Sequence, residues 1–143
     1  MIKKYTYGTP FKTDTIIESV DTVAGTPLFG SITLTDGFCL TYKMSEEDIV
    51  YGLGQANRGI NKRGFIYDSE CTDIPTHTEE QRSFYGAHNF IVLDGNEHFG
   101  MYFDYPGKLT FDVGYTCQNT LTVSCDGTDL DLYVITGDSS YDI

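Results

Sequence analysis

Apolar and polar residues alternate in short runs along most of the chain. Residues that favour strands are concentrated in six of these runs, SITLT, FCLTYKM, HNFIVL, HFGMYFDY, TLTVSC and LDLYVI. In the last run, Leu130, Leu132 and Val134 are spaced two residues apart, so one face of that strand is expected to pack on a core. The pattern therefore predicts an all-β fold.

Three Asp-Gly pairs separate these runs and predict tight turns. Asp36-Gly37 lies between the first two runs, Asp94-Gly95 between the third and fourth, and Asp126-Gly127 between the last two. Asp-Gly suits hairpin turns because both residues tolerate a positive φ. We therefore expect three hairpins, the second with a turn lengthened by Asn96 and Glu97.

Helical signals are few. Ser45 and Asp48 form a capping pair that predicts one short turn, which the glycines of the following YGLG sequence stop. Asp138-Ser139-Ser140 is a second start signal, and only three residues follow it. Because one turn is not stable alone, we expect that the chain was cut from a longer protein.

The segment from Gly64 to Phe84 shows neither the strand nor the helix period and is predicted to be a loop. Pro75 limits any helix before it, whereas residues 79–82 suit a single helical turn. Long loops in compact domains are usually functional or disordered.

Length and charge narrow the class of protein. The 143 residues predict one domain, residues 1–143. Nine basic and 21 acidic residues give a net charge of −12, which opposes phosphate backbones and anionic lipid. We therefore expect no nucleic-acid and no membrane partner. The amino terminus shows no secretory signal, and no run approaches the roughly 20 apolar residues of a membrane helix, so we expect a cytoplasmic protein.

The cysteines and histidines do not form a metal motif. Cys39, Cys71, Cys117 and Cys125 contain no CxxC pair, and we expect them to be reduced thiols, with a bridge from Cys117 to Cys125 across a hairpin as the alternative. The spacing of the three histidines matches no ligand motif, and we expect structural roles for His88 and His98. No metal and no cofactor is predicted.

The other charged side chains do not form a catalytic pair in the sequence. Glycoside-cleaving pairs need two carboxylates that face each other across the scissile bond. Asp104 and Asp112 are instead expected to cap turns or to bind Arg58 and Arg63. The remaining candidates for such a pair are Asp94 and Glu97.

Seven blocks occur together in a recognisable order: Tyr51-Gly-Leu-Gly-Gln55, Asn61-Lys-Arg-Gly64, Cys71-Thr-Asp73, Tyr85-Gly-Ala-His-Asn-Phe90, Phe99-Gly-Met-Tyr-Phe-Asp-Tyr-Pro-Gly107, Phe111-Asp-Val-Gly114 and Leu130-Asp-Leu-Tyr-Val134. In order and spacing they resemble the amino-terminal β-sandwich domain of family 31 glycoside hydrolases. The chain is similar in particular to the bacterial cytoplasmic α-glucosidases of that family. The resemblance covers about Asp48 to the end of the chain, and the earlier strands more loosely.

The resemblance implies an antiparallel β-sandwich of the galactose-mutarotase-like type, with at most one or two short helical turns. In the family this domain precedes a (β/α)8 barrel, and two barrel aspartates perform the catalysis. The resemblance therefore implies that the chain holds no catalytic residue and is inactive alone. Its partners would be its own missing barrel and, in the intact α-glucosidase, an oligosaccharide or α-glucoside. A docking face left exposed without the barrel is expected to be apolar and could support a homodimer.

The resemblance also implies one substrate-facing loop. The family's domain carries an Asn-Thr-Asp or similar tripeptide over the active-site mouth, and the match here is Cys71-Thr72-Asp73. It implies that Asp73 binds sugar hydroxyls on the leaving-group side of the cleft, with Thr72 as the weaker candidate. Two residues depart from the family's pattern. Cys71 replaces the commoner asparagine of the tripeptide. Gln55 replaces the commoner glutamate, so the ion pair expected at position 55 is replaced by a neutral contact. The alternative is that Asp73 bonds its own backbone and Thr72 caps a turn.

Two other functions stay open from the residues alone. One is a free-standing carbohydrate-binding module whose aromatic side chains stack on sugar rings. We expect core packing rather than stacking for most of the aromatic residues in the second half of the chain: Phe84, Tyr85, Phe90, Phe99, Tyr102, Phe103 and Tyr105. The other is a small mutarotase-like enzyme, which would need a glutamate and a histidine in one cleft.

Overall fold

The computed structural model describes residues 1–15, 20–27 and 29–143. The elements in these ranges are eleven strands and one 3₁₀ turn: β1 (Ile2–Tyr7), β2 (Asp21–Thr22), β3 (Ser31–Thr33), β4 (Phe38–Lys43), β5 (Ile49–Gly54), β6 (Phe65–Ser69), β7 (Ala87–Asp94), β8 (His98–Asp104), β9 (Leu109–Val113), β10 (Thr120–Cys125), β11 (Leu130–Thr136) and the 3₁₀ turn at Ser140–Asp142. None of the helical structure in the described ranges is long and apolar enough to cross a membrane.

The strands form two sheets. The first sheet has the order β2-β1-β11-β8-β7-β5, and the second has the order β3-β4-β10-β9-β6. Every pairing is antiparallel except that of β1 with β2. β1 lies along the whole of β11, from the Ile2–Ile135 pair to the Tyr7–Leu130 pair. The predicted all-β antiparallel sandwich is confirmed, and so is the small helical content.

The core lies between the two sheets. Alternate residues of β8, β9 and β11 face inward, and Phe103, Phe111 and Leu132 have no exposed surface. The rings of Phe103 and Phe111 meet edge to face across the sheets at a centroid distance of 5.6 Å. The expectation that most of the seven aromatic residues pack in the core holds only in part. Phe99 and Phe103 belong to the core, and Tyr105 packs against it. Phe84 is buried outside this core, Phe90 and Tyr102 are half-buried, and Tyr85 is exposed.

Two of the three predicted hairpins are confirmed. β3 pairs with β4 around Asp36-Gly37, and β7 pairs with β8 around Asp94-Gly95. The third prediction was wrong, because β10 belongs to the second sheet and β11 to the first. Asp126-Gly127 therefore carries the chain from one sheet to the other. The Gly127 carbonyl accepts a hydrogen bond of 2.8 Å from the backbone N–H of Phe38, so the crossing is anchored on β4.

The segment from Gly64, which was predicted to be a loop, begins with a strand. Phe65, Tyr67 and Ser69 of β6 are buried and alternate with half-buried residues, which is the strand period. The strand forms the edge of the second sheet by pairing with β9. The connecting loop is therefore shorter than predicted and runs over residues 70–86.

The YGLG sequence forms a bulge in β5. The register with β7 shifts between Gly52 and Gly54. Gly52, Leu53 and Gly54 all have positive φ, at 115°, 68° and 67°. Leu53 tolerates this backbone while its side chain is buried in the core. The two glycines of the motif are thus required by the backbone path.

The expected short turn at Ser45 is a bend rather than a helix. The Ser45 hydroxyl and backbone N–H both donate to the Asp48 carboxylate, at 2.7 and 3.0 Å, and β5 begins at the next residue. The capping pair was therefore identified correctly, but it closes a bend between two strands.

All four cysteines are free thiols. The alternative of a bridge between Cys117 and Cys125 was wrong. The Cys117 thiol lies 3.3 Å from the Thr120 hydroxyl at the start of β10, and Cys125 lies at the far end of this strand, about 17 Å away. A disulfide needs Cα atoms within about 7 Å of each other.

Candidate functional site

The candidate site is the loop of residues 70–86, which connects β6 to β7 and carries Thr72 and Asp73. Hydrogen bonds pin its two limbs together near the base. The backbone N–H of Asp68 donates to the Arg82 carbonyl at 2.9 Å, and the Arg82 guanidinium binds the Asp68 carboxylate at 2.8 Å. The loop therefore leaves the sandwich as two limbs held side by side.

Thr72 belongs to this scaffold. Its backbone N–H donates to the Phe84 carbonyl at 3.0 Å, and its hydroxyl lies 3.0 Å from the Ser83 hydroxyl. The side chain is half-buried. The contacts give Thr72 the role of joining the two limbs of the loop.

Asp73 lies beyond these contacts, on the exposed part of the loop. Its carboxylate lies beside the hydroxyl of Tyr85 and raises the pKa of that phenol by hydrogen bonding to its neutral form. The same hydroxyl lies 3.4 Å from the Ile74 carbonyl. The His77 ring packs edge-on against Phe84 at 4.9 Å and lies 5.9 Å from the Tyr85 ring. The tip thus presents a carboxylate, a phenol and an imidazole together on an aromatic base.

A second loop, residues 55–64, here called the bracing loop, contacts residues 78–81 of the candidate loop. The side-chain nitrogen of Asn57 donates to the carbonyls of Thr78, Glu79 and Gln81, at 2.9, 3.2 and 3.2 Å. The backbone N–H of Gln81 donates to Thr78 at 3.2 Å, so residues 78–81 form a reverse turn where a helical turn was predicted. The sequence did not predict this role for Asn57, because an asparagine before Arg-Gly is typical of an ordinary turn.

The buried side chain of Lys62 stabilises the bracing loop. Its ammonium donates to the carbonyls of Gly59 and Asn57, at 2.6 and 3.3 Å. Burial lowers the pKa of Lys62. Because both acceptors lie in the bracing loop, the lysine holds this loop in one conformation.

The other basic residues do not form the expected ion pairs. Arg63 donates to the backbone carbonyls of Ser45 and Asp48, at 2.7 and 2.8 Å. Arg58 has a φ of 76°, and its guanidinium lies over the Phe65 ring at 4.2 Å. Of the two expectations for Asp104 and Asp112, binding to these arginines was wrong, because Arg63 is bound to backbone carbonyls and Arg58 lies over an aromatic ring.

Three of the four carboxylates considered for a catalytic pair, Asp94, Asp104 and Asp112, have structural partners. Asp94 binds the imidazole of His98 at 2.7 Å, which agrees with a structural histidine. Asp104 accepts a hydrogen bond of 2.6 Å from Thr13. Asp112 caps the turn after β9 by accepting from the backbone N–H of Tyr115 at 2.9 Å, as the sequence predicted.

A groove of about 510 Å³ lies beside the base of the loop. It is lined by the residues that follow β6, begin β7 and follow β8. Its base is closed by a hydrogen bond from the Ser69 hydroxyl to the Asn89 side-chain carbonyl, and the Asn89 amide donates to the Tyr105 carbonyl at 3.1 Å. At the rim, the Lys108 ammonium lies 3.3 Å from the Asp68 carboxylate and 3.8 Å from that of Glu70.

Comparison with known families identifies a match over residues 21–112, to the glycosyl hydrolase 31 N-terminal galactose mutarotase-like domain. The matched region is more than half of the chain and contains both the candidate loop and the bracing loop. No curated protein shows significant sequence similarity to the chain.

Solved structures with the same fold include three enzymes. A GH31 dextranase of Flavobacterium johnsoniae, complexed with glucose, has a TM-score of 0.70 at 18% identity over 78% of this chain. The cycloalternan-degrading enzyme of Trueperella pyogenes, in complex with cycloalternan, has a TM-score of 0.65 at 14% identity over 74% of this chain. The cycloalternan-forming enzyme of Listeria monocytogenes, in complex with a pentasaccharide substrate, has a TM-score of 0.61 at 23% identity over 71% of this chain. The chain spans 14%, 15% and 10% of these three proteins, respectively.

Proposed function

Because the chain belongs to the family of glycosyl hydrolase 31 N-terminal galactose mutarotase-like domains, we propose that it serves a retaining α-glucosidase that hydrolyses terminal α-linked glucose. In this proposal the domain, residues 1–143, supports a catalytic barrel and presents one loop to the substrate. The domain is inactive alone. The observation that carries the proposal is the family match over residues 21–112.

Asp73 is the residue proposed to touch the substrate, with Thr72 beside it. An ionised carboxylate accepts hydrogen bonds from two sugar hydroxyls at once. Exposure of Asp73 and the rigid attachment of its loop through Thr72 and Arg82 support this role. Such a contact orients the leaving-group sugar while other groups perform the chemistry.

The proposed reaction is a double displacement that retains the anomeric configuration. One carboxylate attacks the sugar and a second protonates the leaving oxygen, then activates water in the second step, with the two groups roughly 5–5.5 Å apart. In the proposal both carboxylates lie on the barrel. The glucose bound to the Flavobacterium dextranase and the isomaltose bound to the Trueperella enzyme support a glucose-containing substrate.

Exposed apolar residues support a docking role for the loop. Among the described residues, Ile74 and Tyr85 of the loop keep 41% and 47% of their surface exposed. We propose that these side chains contact the barrel in the intact enzyme. In the isolated domain they would favour a homodimer at high concentration, which sedimentation at increasing concentration would detect.

The domain is proposed to work in the cytoplasm. The four free thiols support a reducing compartment. Cell fractionation followed by detection of the native protein would test the location.

The experiment that tests the proposed function uses the complete gene product and residues 1–143 side by side. We expect the complete protein to hydrolyse p-nitrophenyl α-glucoside with release of α-glucose, and residues 1–143 to give no turnover. Release of β-glucose would contradict the retaining mechanism. Turnover by residues 1–143 alone would contradict the assignment of catalysis to the barrel.

A further inference from the structure

We propose that the groove beside the loop base is a saccharide-binding site of the domain itself, separate from the contact made by Asp73. It would take a neutral glucose-containing saccharide. This goes beyond the proposed function, because it predicts binding by residues 1–143 without any catalytic barrel.

The size and composition of the groove suit a sugar. Its volume of about 510 Å³ lies in the range of small-molecule sites, roughly 300–1,000 Å³. The lining combines two tyrosines, Tyr102 and Tyr105, with the polar side chains of His88, Asn89 and Lys108. Aromatic faces bind the apolar faces of sugar rings, and amide, imidazole and ammonium groups bind their hydroxyls.

The walls of the groove are already fixed. Tyr105 packs closely against two glycines. A Cβ added to Gly107 would lie 2.7 Å from the tyrosine ring, and one added to Gly127 would lie 2.7 Å from the tyrosine hydroxyl. Asn89 is fixed by Ser69 on one side and by the Tyr105 carbonyl on the other. Both residues are therefore in place before any ligand arrives, which reduces the entropy lost on binding.

Hydrogen-bonding capacity remains for a ligand. The Asn89 amide uses one of its two N–H groups on Tyr105, and the Lys108 ammonium has three donors for two carboxylates that lie at 3.3 and 3.8 Å. His88 is exposed at the groove, and its ring packs on the backbone of Gly54. Because Lys108 is balanced by Asp68 and Glu70, the groove favours an uncharged ligand over an anion.

The test is a titration of ¹⁵N-labelled residues 1–143 with isomaltose, maltose and glucose, followed by NMR. We expect saturable amide shifts in residues 69–71, 87–89 and 105–108, with a Kd on the order of 1 mM for at least one sugar. His88→Ala and Lys108→Met should each weaken this Kd at least fivefold. The matched control is Lys43→Met, at the opposite end of the second sheet, which should leave the Kd unchanged.

Three results would overturn the groove site. They are the absence of saturable shifts with all three sugars, shifts confined to residues 72–77 and 85, and equal weakening by Lys43→Met. Spectra of each variant without sugar show whether the fold is intact, so a loss of binding through unfolding is recognised. This outcome is independent of the proposed hydrolase, which is tested by turnover of the complete gene product.

Discussion

The side-chain nitrogen of Asn57 lies 2.9 Å from the carbonyl oxygen of Thr78. With its further acceptors Glu79 and Gln81, this amide joins two loops that are more than twenty positions apart in sequence. One limb of the candidate loop is thereby held by a residue outside it. The position of Asp73 depends on both limbs, since Thr72 is bonded to Ser83 and Phe84.

Asn57→Ala should loosen the candidate loop while the sandwich stays folded. The substitution removes two N–H groups that three carbonyls share, at exposed or partly exposed positions where water partly replaces them, so we expect a loss of about 1 kcal/mol in local stability. Amide hydrogen exchange at residues 78–81 should then accelerate roughly fivefold. Asn96→Ala, an exposed asparagine in the turn between β7 and β8, is the control. Unchanged exchange at residues 78–81 would show that Asn57 does not brace the loop.

Asp73→Ala in the complete enzyme should lower kcat/KM for disaccharides roughly 10- to 100-fold, the amount expected for a hydrogen bond to a charged group. The melting temperature should not change, because Asp73 is exposed. Asp138→Ala replaces another exposed aspartate and should alter neither quantity. Unchanged kcat/KM for Asp73→Ala across disaccharides would remove this residue from the site.

The stability of the fold should fall steeply above pH 10 because of buried tyrosines. Burial raises the pKa of Tyr67 from 10.0 to about 12, and its hydroxyl donates to the Lys62 carbonyl at 3.1 Å. The unfolded state therefore loses this proton first. The contribution of Tyr67 to the free energy of unfolding is present in full below pH 10. It falls by up to about 3 kcal/mol as the pH rises to 12.

Denaturant unfolding of Tyr67→Phe at pH 8, 10 and 11 checks this expectation. The variant should be less stable than the parent at pH 8 by about 1 kcal/mol, through loss of the hydrogen bond, and should show a shallower decline with pH. Tyr141→Phe is the control, since this tyrosine is 98% exposed. A parallel decline in the parent and in Tyr67→Phe would assign the alkaline instability to other groups, such as Tyr7 and Tyr42, whose pKa values are also raised to about 12.

Gly52→Ala should cost far more stability than Gly59→Ala. Both glycines have positive φ, 115° and 73°, but an added Cβ at Gly52 would collide with the Phe90 carbonyl of the paired strand. An added Cβ at Gly59 would have no atom within 4 Å other than those of its neighbours in the chain. We expect losses of roughly 3 kcal/mol or more and of about 1–2 kcal/mol, respectively. Urea unfolding measures both values, and equal losses would show that the contact with β7 does not matter.

Local patterns predicted the strands better than their partners. Asp36-Gly37 and Asp126-Gly127 look alike in sequence, yet only the first closes a hairpin. A turn that stays in one sheet and a turn that crosses to the other use the same residues. The difference is set at long range, because β11 fills the space between β1 and β8.

β6 was missed for a related reason. Its five residues include only three apolar ones, and its end is polar at Asp68 and Ser69. These residues form a strand because they pair with β9 and because Ser69 is buried and hydrogen-bonded to Asn89. Both contacts involve residues far away in the sequence, so the local pattern does not show them. For the candidate site, the family resemblance pointed to Thr72 and Asp73, whereas Asn57 is placed by contacts with residues more than twenty positions away, which no local motif signals.

The pairing of β1 with β11 has a mechanical consequence. Because the strands are antiparallel and Ile2 faces Ile135, the chain enters β1 and leaves β11 at the same end of the pair. A tensile load applied at these two points acts perpendicular to the strands and breaks the hydrogen bonds between them one pair after another. The domain is thereby expected to open like a zipper at low force rather than to resist as a shear clamp.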